Sequence, residues 1–507
     1  MVQSGRQGDG GPGRIIITPR ATSITVIGGQ SVTVTFAVEV NTSVDPVRIG
    51  VRSVPPGVTY ALSPQFLPES GSDFFLTLTA AEDVTPAEAT INIGLLLPPR
   101  GFSAIATVTV NVLASGQVLP TYQILTMLYA PPGTNGGKSS SQVSYASGST
   151  TGTTDSISHS FKDGLEISAS VGFGKQGPVN LGGSADFTAS KTGTTTSQVS
   201  INKGVNNQIN DPGPSADGID HGHDVFYLWL NPLLNVTIDH LGKITWEIGV
   251  NGQEMLIQYV FLEELQNPSL MRTDVAEYLA AHGLTTADYA QILTLNPFSS
   301  GATAIDPNRF VPTTHSFPYE PPLNPGDQVL TWTETLTSAT TTTNTQQVQV
   351  QYGVSVTVSA GFHLVWDDSV KVTASLQWTN TSTSTQTSGS TQQASVTIGG
   401  PAFGYTGLTD VLVYWDTVYS SFMFAFATES PSASGTIIDS AGNPVPNRAM
   451  TLTVGGITLS TFTNSRGQYN FYGAPPGQGT ATVESQQFPV AVGEGERSPT
   501  LRLNSQG

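Results

Sequence analysis

The chain has 507 residues, of which only 11% are charged, and its formal net charge is −18. An acidic, charge-poor chain lacks the clustered Lys and Arg that neutralise phosphates, so nucleic acid is excluded as a partner. With no cysteine, disulfides, thiol catalysis and iron–sulfur ligation are excluded together. The length is that of about three or four domains, and the abundance of Gly, Ser and Thr is that of β-rich extracellular modules.

In chain order, residues 1–13 are a Gly-rich leader with neither a signal-peptide core nor, further on, a run of membrane-helix length. The expectation is an extracellular protein whose export signal is removed or lies elsewhere. Residues 14–114 alternate as short strands separated by Pro-Pro-Gly and Gly-Gly turns, which predicts a β-sandwich. Val54-Pro55-Pro56-Gly57-Val58 followed by Leu62-Ser63-Pro64 resembles bacterial immunoglobulin-like modules.

Residues 115–252 and 308–430 read as two copies of one β module. Leu165 to Phe173 is echoed by Val354 to Phe362, an offset of 354 − 165 = 189 residues. Tyr129-Ala130-Pro131-Pro132 recurs as Tyr319-Glu320-Pro321-Pro322, and Asp224-Val225-Phe226-Tyr227-Leu228-Trp229 as Asp410-Val411-Leu412-Val413-Tyr414-Trp415. Between the copies, residues 253–307 predict a helical insert: Thr273 caps one helix that stops at Gly283, and Thr285 or Thr286 caps another that ends before Pro297.

In the second copy, Val348, Val350, Tyr352, Val354, Val356 and Val358 alternate with mostly polar residues, and the return strand repeats this with Val370, Val372, Ala374, Leu376 and Trp378. Side chains alternate across a strand, so each strand has one apolar and one polar face, over the roughly 9–11 residues that a tilted strand needs to cross a bilayer. The connecting tip carries Phe362, Leu364, Val365 and Trp366. The first copy offers a second hairpin, with Leu165, Ile167, Val171, Phe173, Val179, Leu181 and Phe187. Glu166, Asp186 and Lys371 fall on the polar faces. Threonines are dense from Thr331 to Thr345 and alternate from Thr379 to Thr387, which predicts strands with water on both sides.

Ser/Thr-rich strands, an amphipathic hairpin and an apolar tip resemble the aerolysin-type β-pore-forming proteins over residues 328–400, and more weakly over 140–203. The resemblance implies oligomerisation into a ring and insertion of hairpins into a closed barrel. The first copy departs from that pattern with a polar turn, Gly174 to Pro178, and with Gly183 on its apolar face. The alternative is a bacterial surface adhesin or a structural, fibre-forming subunit, since any long antiparallel sheet over a core alternates in the same way. Either way the protein is expected to be non-enzymatic, to form a homo-oligomer, and to meet a membrane lipid or a surface receptor or glycan.

The last segment, 431–507, contains Gly435 to Val445 with an Asp-x-x-Gly turn, Thr461 to Phe471 with an Asn-x-x-Gly turn, and Pro475-Pro476-Gly477. It resembles the carboxypeptidase regulatory-like domain, an accessory β-sandwich that implies no peptidase. The densest polar cluster is Asp217 to Asp224. Asp217, Asp220, His221 and His223 are a weak metal-site candidate against the plainer reading of a solvated loop leading into a strand. No cofactor is expected. The fold class expected is all-β: an elongated multidomain chain in which β-sandwiches flank a duplicated, long-stranded antiparallel module with a small helical insert.

Overall fold

The structure is a computed structural model that describes residues 15–40, 47–67, 69, 72–82, 84–97, 101–118, 121–135, 141–145, 166–169, 209–231, 234–240, 244–248, 256–307, 309–337, 351–357, 374–381, 393–416, 419 and 421–504. Among the described residues it is a β protein of seven sheets, with three short α-helices and one 3-10 turn.

Strands β1 to β8, from Ile15–Pro19 through Gly101–Val118, form two sheets. Their inward residues alternate as Val34, Phe36 and Val38 or Phe74, Leu76 and Leu78, all buried, and the Phe36 and Phe74 rings stack at 4.8 Å. Strict alternation fills one face of each strand with apolar side chains and leaves hydroxyls outside. Ser31 and Thr33 pair there with Thr79 and Thr77 across neighbouring strands.

The first copy supplies β9 (Tyr122–Leu128), β10 (Gln142–Tyr145), β11 (Glu166–Ala169), β12 (Ile209–Pro212), β13 (Val225–Leu230), β14 (Leu234–Ile238) and β15 (Ile244–Ile248), and it runs past its expected end at 252 into the segment expected to be helical, where β16 (Leu256–Phe261) pairs with β13. Helices α1 (Leu262–Gln266), α2 (Thr273–Ala281) and α3 (Thr286–Leu293) follow. The second copy supplies β17 (Phe310–Pro318), β18 (Thr331–Thr337), β19 (Gln351–Thr357), β20 (Ala374–Thr381), β21 (Gln393–Gly399), β22 (Asp410–Asp416) and β23 (Ser421–Phe426). The C-terminal module runs from β24 (Ala433–Ile438) and β25 (Ala449–Val454) through β26 (Ile457–Phe462) to β30 (Leu501–Arg502).

Strand pairing crosses the expected module boundaries. The boundary at 114 falls inside β8, whose last residues pair with β14, so β14 and β15 extend a sheet of the N-terminal sandwich. β10 of the first copy lies between β12 and β21, giving the order β12-β10-β21-β18. β17 of the second copy touches β26 of the C-terminal module through the parallel bridge His315 to Ser460, which joins both into one seven-stranded sheet. One apolar core, including Tyr129, Tyr145, Phe226, Trp229, Phe310, Trp332, Val413 and Phe422, serves both copies and the helices.

The strand registers of the two segments correspond. β13 pairs with β9 and β16 as β22 pairs with β17 and β23, with Val225 opposite Leu128 and Phe261, and Val411 opposite Phe317 and Phe426. The amide of Leu262 donates to the carbonyl of Asp224 at 2.8 Å, as that of Ala427 donates to Asp410 at 2.9 Å. The amide of Gly213 donates to Ser141 O at 2.8 Å, as that of Gly400 donates to Leu330 O at 2.9 Å. Ser141 and Leu330 are again 330 − 141 = 189 residues apart. By strand register Tyr129 matches Pro318, so the Tyr-x-Pro-Pro segments stand one residue out of step with the strands before them.

Two expectations change. Thr331–Thr337 is not wet on both faces: Trp332 and Leu336 are fully buried while Thr333 and Thr335 are exposed, because apolar residues four apart share one face of a strand. Thr273 is not a cap but the first helical residue, after Arg272. At α3, Thr285 N and Oγ1 both donate to Asp288 Oδ2, at 2.7 and 2.6 Å. The helices pack Leu262, Leu265, Val275, Leu279 and Ile292 into the shared core.

Candidate functional site: the seam between the copies

Of the first-ranked hairpin, Val348, Val350, Val358, Phe362, Leu364, Val365, Trp366, Val370 and Val372 lie outside the described residues. So do Leu165, Val171, Phe173, Val179, Leu181 and Phe187 of the second candidate. The backbones of the remainder form a three-stranded sheet in the order β11-β20-β19. Val354 stands opposite Trp378, Val356 opposite Leu376, and Ile167 opposite Leu376 on the other side. The alternate rows carry Ser355 with Gln377 and Glu166, and Thr357 with Ser375 and Ser168. Apolar and polar rows therefore alternate through a sheet made from both copies. The same order, outgoing strand of copy one, return strand of copy two, outgoing strand of copy two, recurs in β10-β21-β18.

The polar loop is built differently from a metal centre. Asp217 Oδ1 accepts from Asn135 N at 2.7 Å and from Ala402 N at 3.1 Å, so it clamps a loop of copy one to a loop of copy two. Asp220 Oδ1 accepts from Gly222 N at 2.9 Å and caps the 3-10 turn His221–His223. His223 Nδ1 stands 3.3 Å from Asp220 Oδ2. His221 turns the other way, with Nδ1 3.0 Å from Asp224 Oδ2 and its ring stacked on Phe298 at 3.8 Å. Among the described residues no three His, Asp or Glu side chains are grouped as a metal would need.

Close backbone approach holds the same loops. Gly133 N donates to Gly218 O at 2.7 Å, while Tyr319 Oη accepts from Gly218 N at 2.7 Å and donates to Gly133 O. A Cβ at Gly133 would stand 2.0 Å from Ala216 O and 2.4 Å from Pro214 O, so only glycine fits.

Beneath the loop, Asp224 is fully buried and accepts from Ala130 N at 3.1 Å and Asn296 Nδ2 at 2.8 Å as well as facing His221. Asn296 Oδ1 in turn accepts from Phe298 N at 2.7 Å. A second buried knot centres on Arg309 and Asp416, both with fully buried side chains. Arg309 Nε donates to Asp416 Oδ1 at 3.1 Å, Nη2 to Asp416 Oδ2 at 2.9 Å, and Nη1 to Leu295 O at 2.8 Å. Tyr129 Oη donates to Asp416 Oδ2 at 2.7 Å and accepts from Arg309 Nη2 at 2.9 Å. Burial opposes the Arg309 charge, but the Asp416 carboxylate outweighs it and holds the guanidinium pKa above its ordinary value. Burial likewise pushes the Tyr129 hydroxyl up, against the lowering pull of Arg309. Copy one, the helical insert and copy two meet at this point. A bidentate, fully satisfied buried pair fixes geometry, and it presents no atom to a substrate.

Sequence reasoning singled out Asp224 and Asp410 as matched strand-leading residues but missed Arg309, Asp416 and Asn296. The available signal was a charge at the boundary of a dense apolar run in a charge-poor chain, as in Arg309-Phe310-Val311 and Val413-Tyr414-Trp415-Asp416.

Asp211 in β12 departs from this satisfaction. It is buried at 2% exposure with Oδ2 lacking any hydrogen-bond partner, and desolvation, with the Asp224 charge adding to it, pushes its carboxyl well above the usual range.

No protein-family model matches the chain, and no curated protein matches it. Among solved structures it is similar to domains 4 and 5 of the S-layer protein SbsC, at 19% identity over 19% of this chain and 50% of that chain, TM-score 0.15. It is similar to the Bacillus anthracis TIE protein at 9% identity over 98% of this chain and 76% of that one, TM-score 0.15. The Yersinia pseudotuberculosis adhesin InvE matches at 14% identity over 46% of this chain and 57% of that chain, TM-score 0.16. The chain thus spans half the length of the first of these, and TM-scores this low carry no argument about function.

Proposed function

We propose that the chain is a non-enzymatic, extracellular β-module protein that acts as a surface adhesin or structural subunit. One observation carries the reading: the deepest polar chemistry, Arg309 with Asp416 and Tyr129, and Asp224 with Asn296, is buried and used to weld successive modules together. Such welds make a rigid support rather than a reaction centre. The partners in this reading are further copies of the chain and a surface receptor or glycan. Labelled protein applied to intact cells and to glycan arrays, with negative-stain imaging alongside, tests it. Saturable binding or ordered assemblies without dye release from vesicles are expected; a protein that neither binds a surface nor assembles contradicts it.

A second reading, insertion of an amphipathic hairpin into a membrane, is favoured by the alternating register of β11, β20 and β19. It predicts dye release from liposomes that is lost when Trp366 and Leu364 become Asp, since carboxylates at the leading tip oppose its passage through the bilayer. Absence of release from every lipid composition tried eliminates it.

A further inference from the structure

The two copies do not face each other about a two-fold axis. They stack head to tail, and the register shows which surfaces meet. On copy one, Thr126 Oγ1 donates to Tyr419 O at 3.2 Å, Met127 O accepts from Ser421 Oγ at 2.7 Å, and Tyr145 Oη accepts from Phe422 N at 2.9 Å. The same positions on copy two, 189 residues on, are His315, Ser316 and Glu334. All three are engaged by β26. His315 is the bridge partner of Ser460, Ser316 Oγ donates to Thr461 Oγ1 at 3.1 Å, and Glu334 Oε1 accepts from Ser460 Oγ at 2.9 Å. Trp332, which matches Val143, donates Nε1 to Thr463 O at 3.3 Å.

We infer that the C-terminal module is a cap: it occupies on copy two the place that copy two occupies on copy one, and so blocks head-to-tail addition of a second chain. Heterologous contacts propagate unless something closes or covers them, and repeat stacks are ended by a terminal unit with a different outer face. The substitution is incomplete in an informative way. β10 has β21 along its outer edge, whereas among the described residues no strand pairs with the outer edge of β18. The edge that would meet β17 and β18 of an uncapped chain is the one formed by β16 and β12 of its neighbour, the copy-one equivalents of β23 and β21. The occupant of the uncapped surface is therefore a second copy of this chain. The inference rests on the structural-subunit reading and makes release of the cap the condition for head-to-tail assembly of further copies.

The test uses one full-length protein in two states. Ser460→Asp and Asn470→Asp set new carboxylates against Glu334 and against Asp410, whose carboxylate Asn470 Nδ2 meets at 3.1 and 3.2 Å, so like charges push the cap away. Ser316→Cys and Thr461→Cys add a disulfide lock across the same seam in a chain that has no other cysteine. When oxidised, the cap is held and sedimentation shows one chain. When reduced, the weight-average mass rises at least about twofold with concentration, as the first head-to-tail contact forms. Equal masses in the two states, whether all monomeric or all associated, overturn the inference. Surface binding by the oxidised monomer is a separate readout, so loss of the capping idea leaves the adhesive reading testable on its own.

Discussion

Replacing Arg309 by Met removes the cation from the middle of the seam while keeping most of its volume. Asp416 then stays fully buried without the two guanidinium donors, and Leu295 O loses the Nη1 donor. Stranding one partner of a buried ion pair costs about 3–5 kcal/mol. At about 2 °C per kcal/mol for a large cooperative unit, melting falls by about 6–10 °C. The unfolding of the shared core is followed by the fluorescence of Trp229, Trp332 and Trp415, which all lie in it. The triple variant Arg309→Met/Asp416→Leu/Tyr129→Phe removes the stranded charge and is expected to recover most of the loss. A single variant melting within about 2 °C of the parent, or a triple variant less stable than the single, refutes the assignment of the knot as the weld between copies.

Asp211→Asn is expected to stabilise the protein at neutral pH and to have little effect in acid. A folded-state pKa raised by burial and Asp224 means that the Asp211 contribution is fully present below the unfolded value of about 3.9 and is lost as the pH rises towards the folded value. Tyr145 and Tyr227, whose hydroxyls feel the Asp211 charge, stay neutral through that range. Melting curves of both proteins at acid and neutral pH check it, and a neutral-pH gain below that in acid contradicts it. Asn296→Ala takes one of its two partners from Asp224 Oδ2, which keeps His221, and removes the side-chain acceptor of Phe298 N, and costs about 1–3 kcal/mol in denaturant titration. Gly133→Ala forces the loops apart, because its Cβ would stand 2.0 Å from Ala216 O; chemical denaturation is expected to show a loss of at least about 2 kcal/mol, and a neutral effect rejects the close approach.

The sequence made some of this legible for physical reasons. Alternation of the kind seen in Val32 to Val38 has one solution when a face is buried, so the N-terminal strands were predictable. The duplication was readable because identical pairing demands similar apolar positions, as with Val225 and Val411. Interleaving was not readable: periodicity tells which face of β10 is buried but not that its edge belongs to β21, some 250 residues on. Thr331–Thr337 misled because its threonines outnumber Trp332 and Leu336, although two large apolar residues are enough to fix an inward face. The polar loop misled because Asp217, Asp220 and His221 look equivalent in sequence, while backbone amides, a turn and a buried carboxylate take one each.

Cross-linking across β10 and β21 shows whether the two copies share one sheet in head-to-tail order. Gln142 stands opposite Thr397 in that ladder, and the absence of native cysteines makes Gln142→Cys/Thr397→Cys the sole reactive pair. A short reagent with two thiol-reactive electrophiles is predicted to join them within one chain through two thioether bonds, in high yield and without loss of stability, with peptide mapping showing the 142–397 link. A product linked only between chains, or no link while both thiols react singly, contradicts the interleaved arrangement.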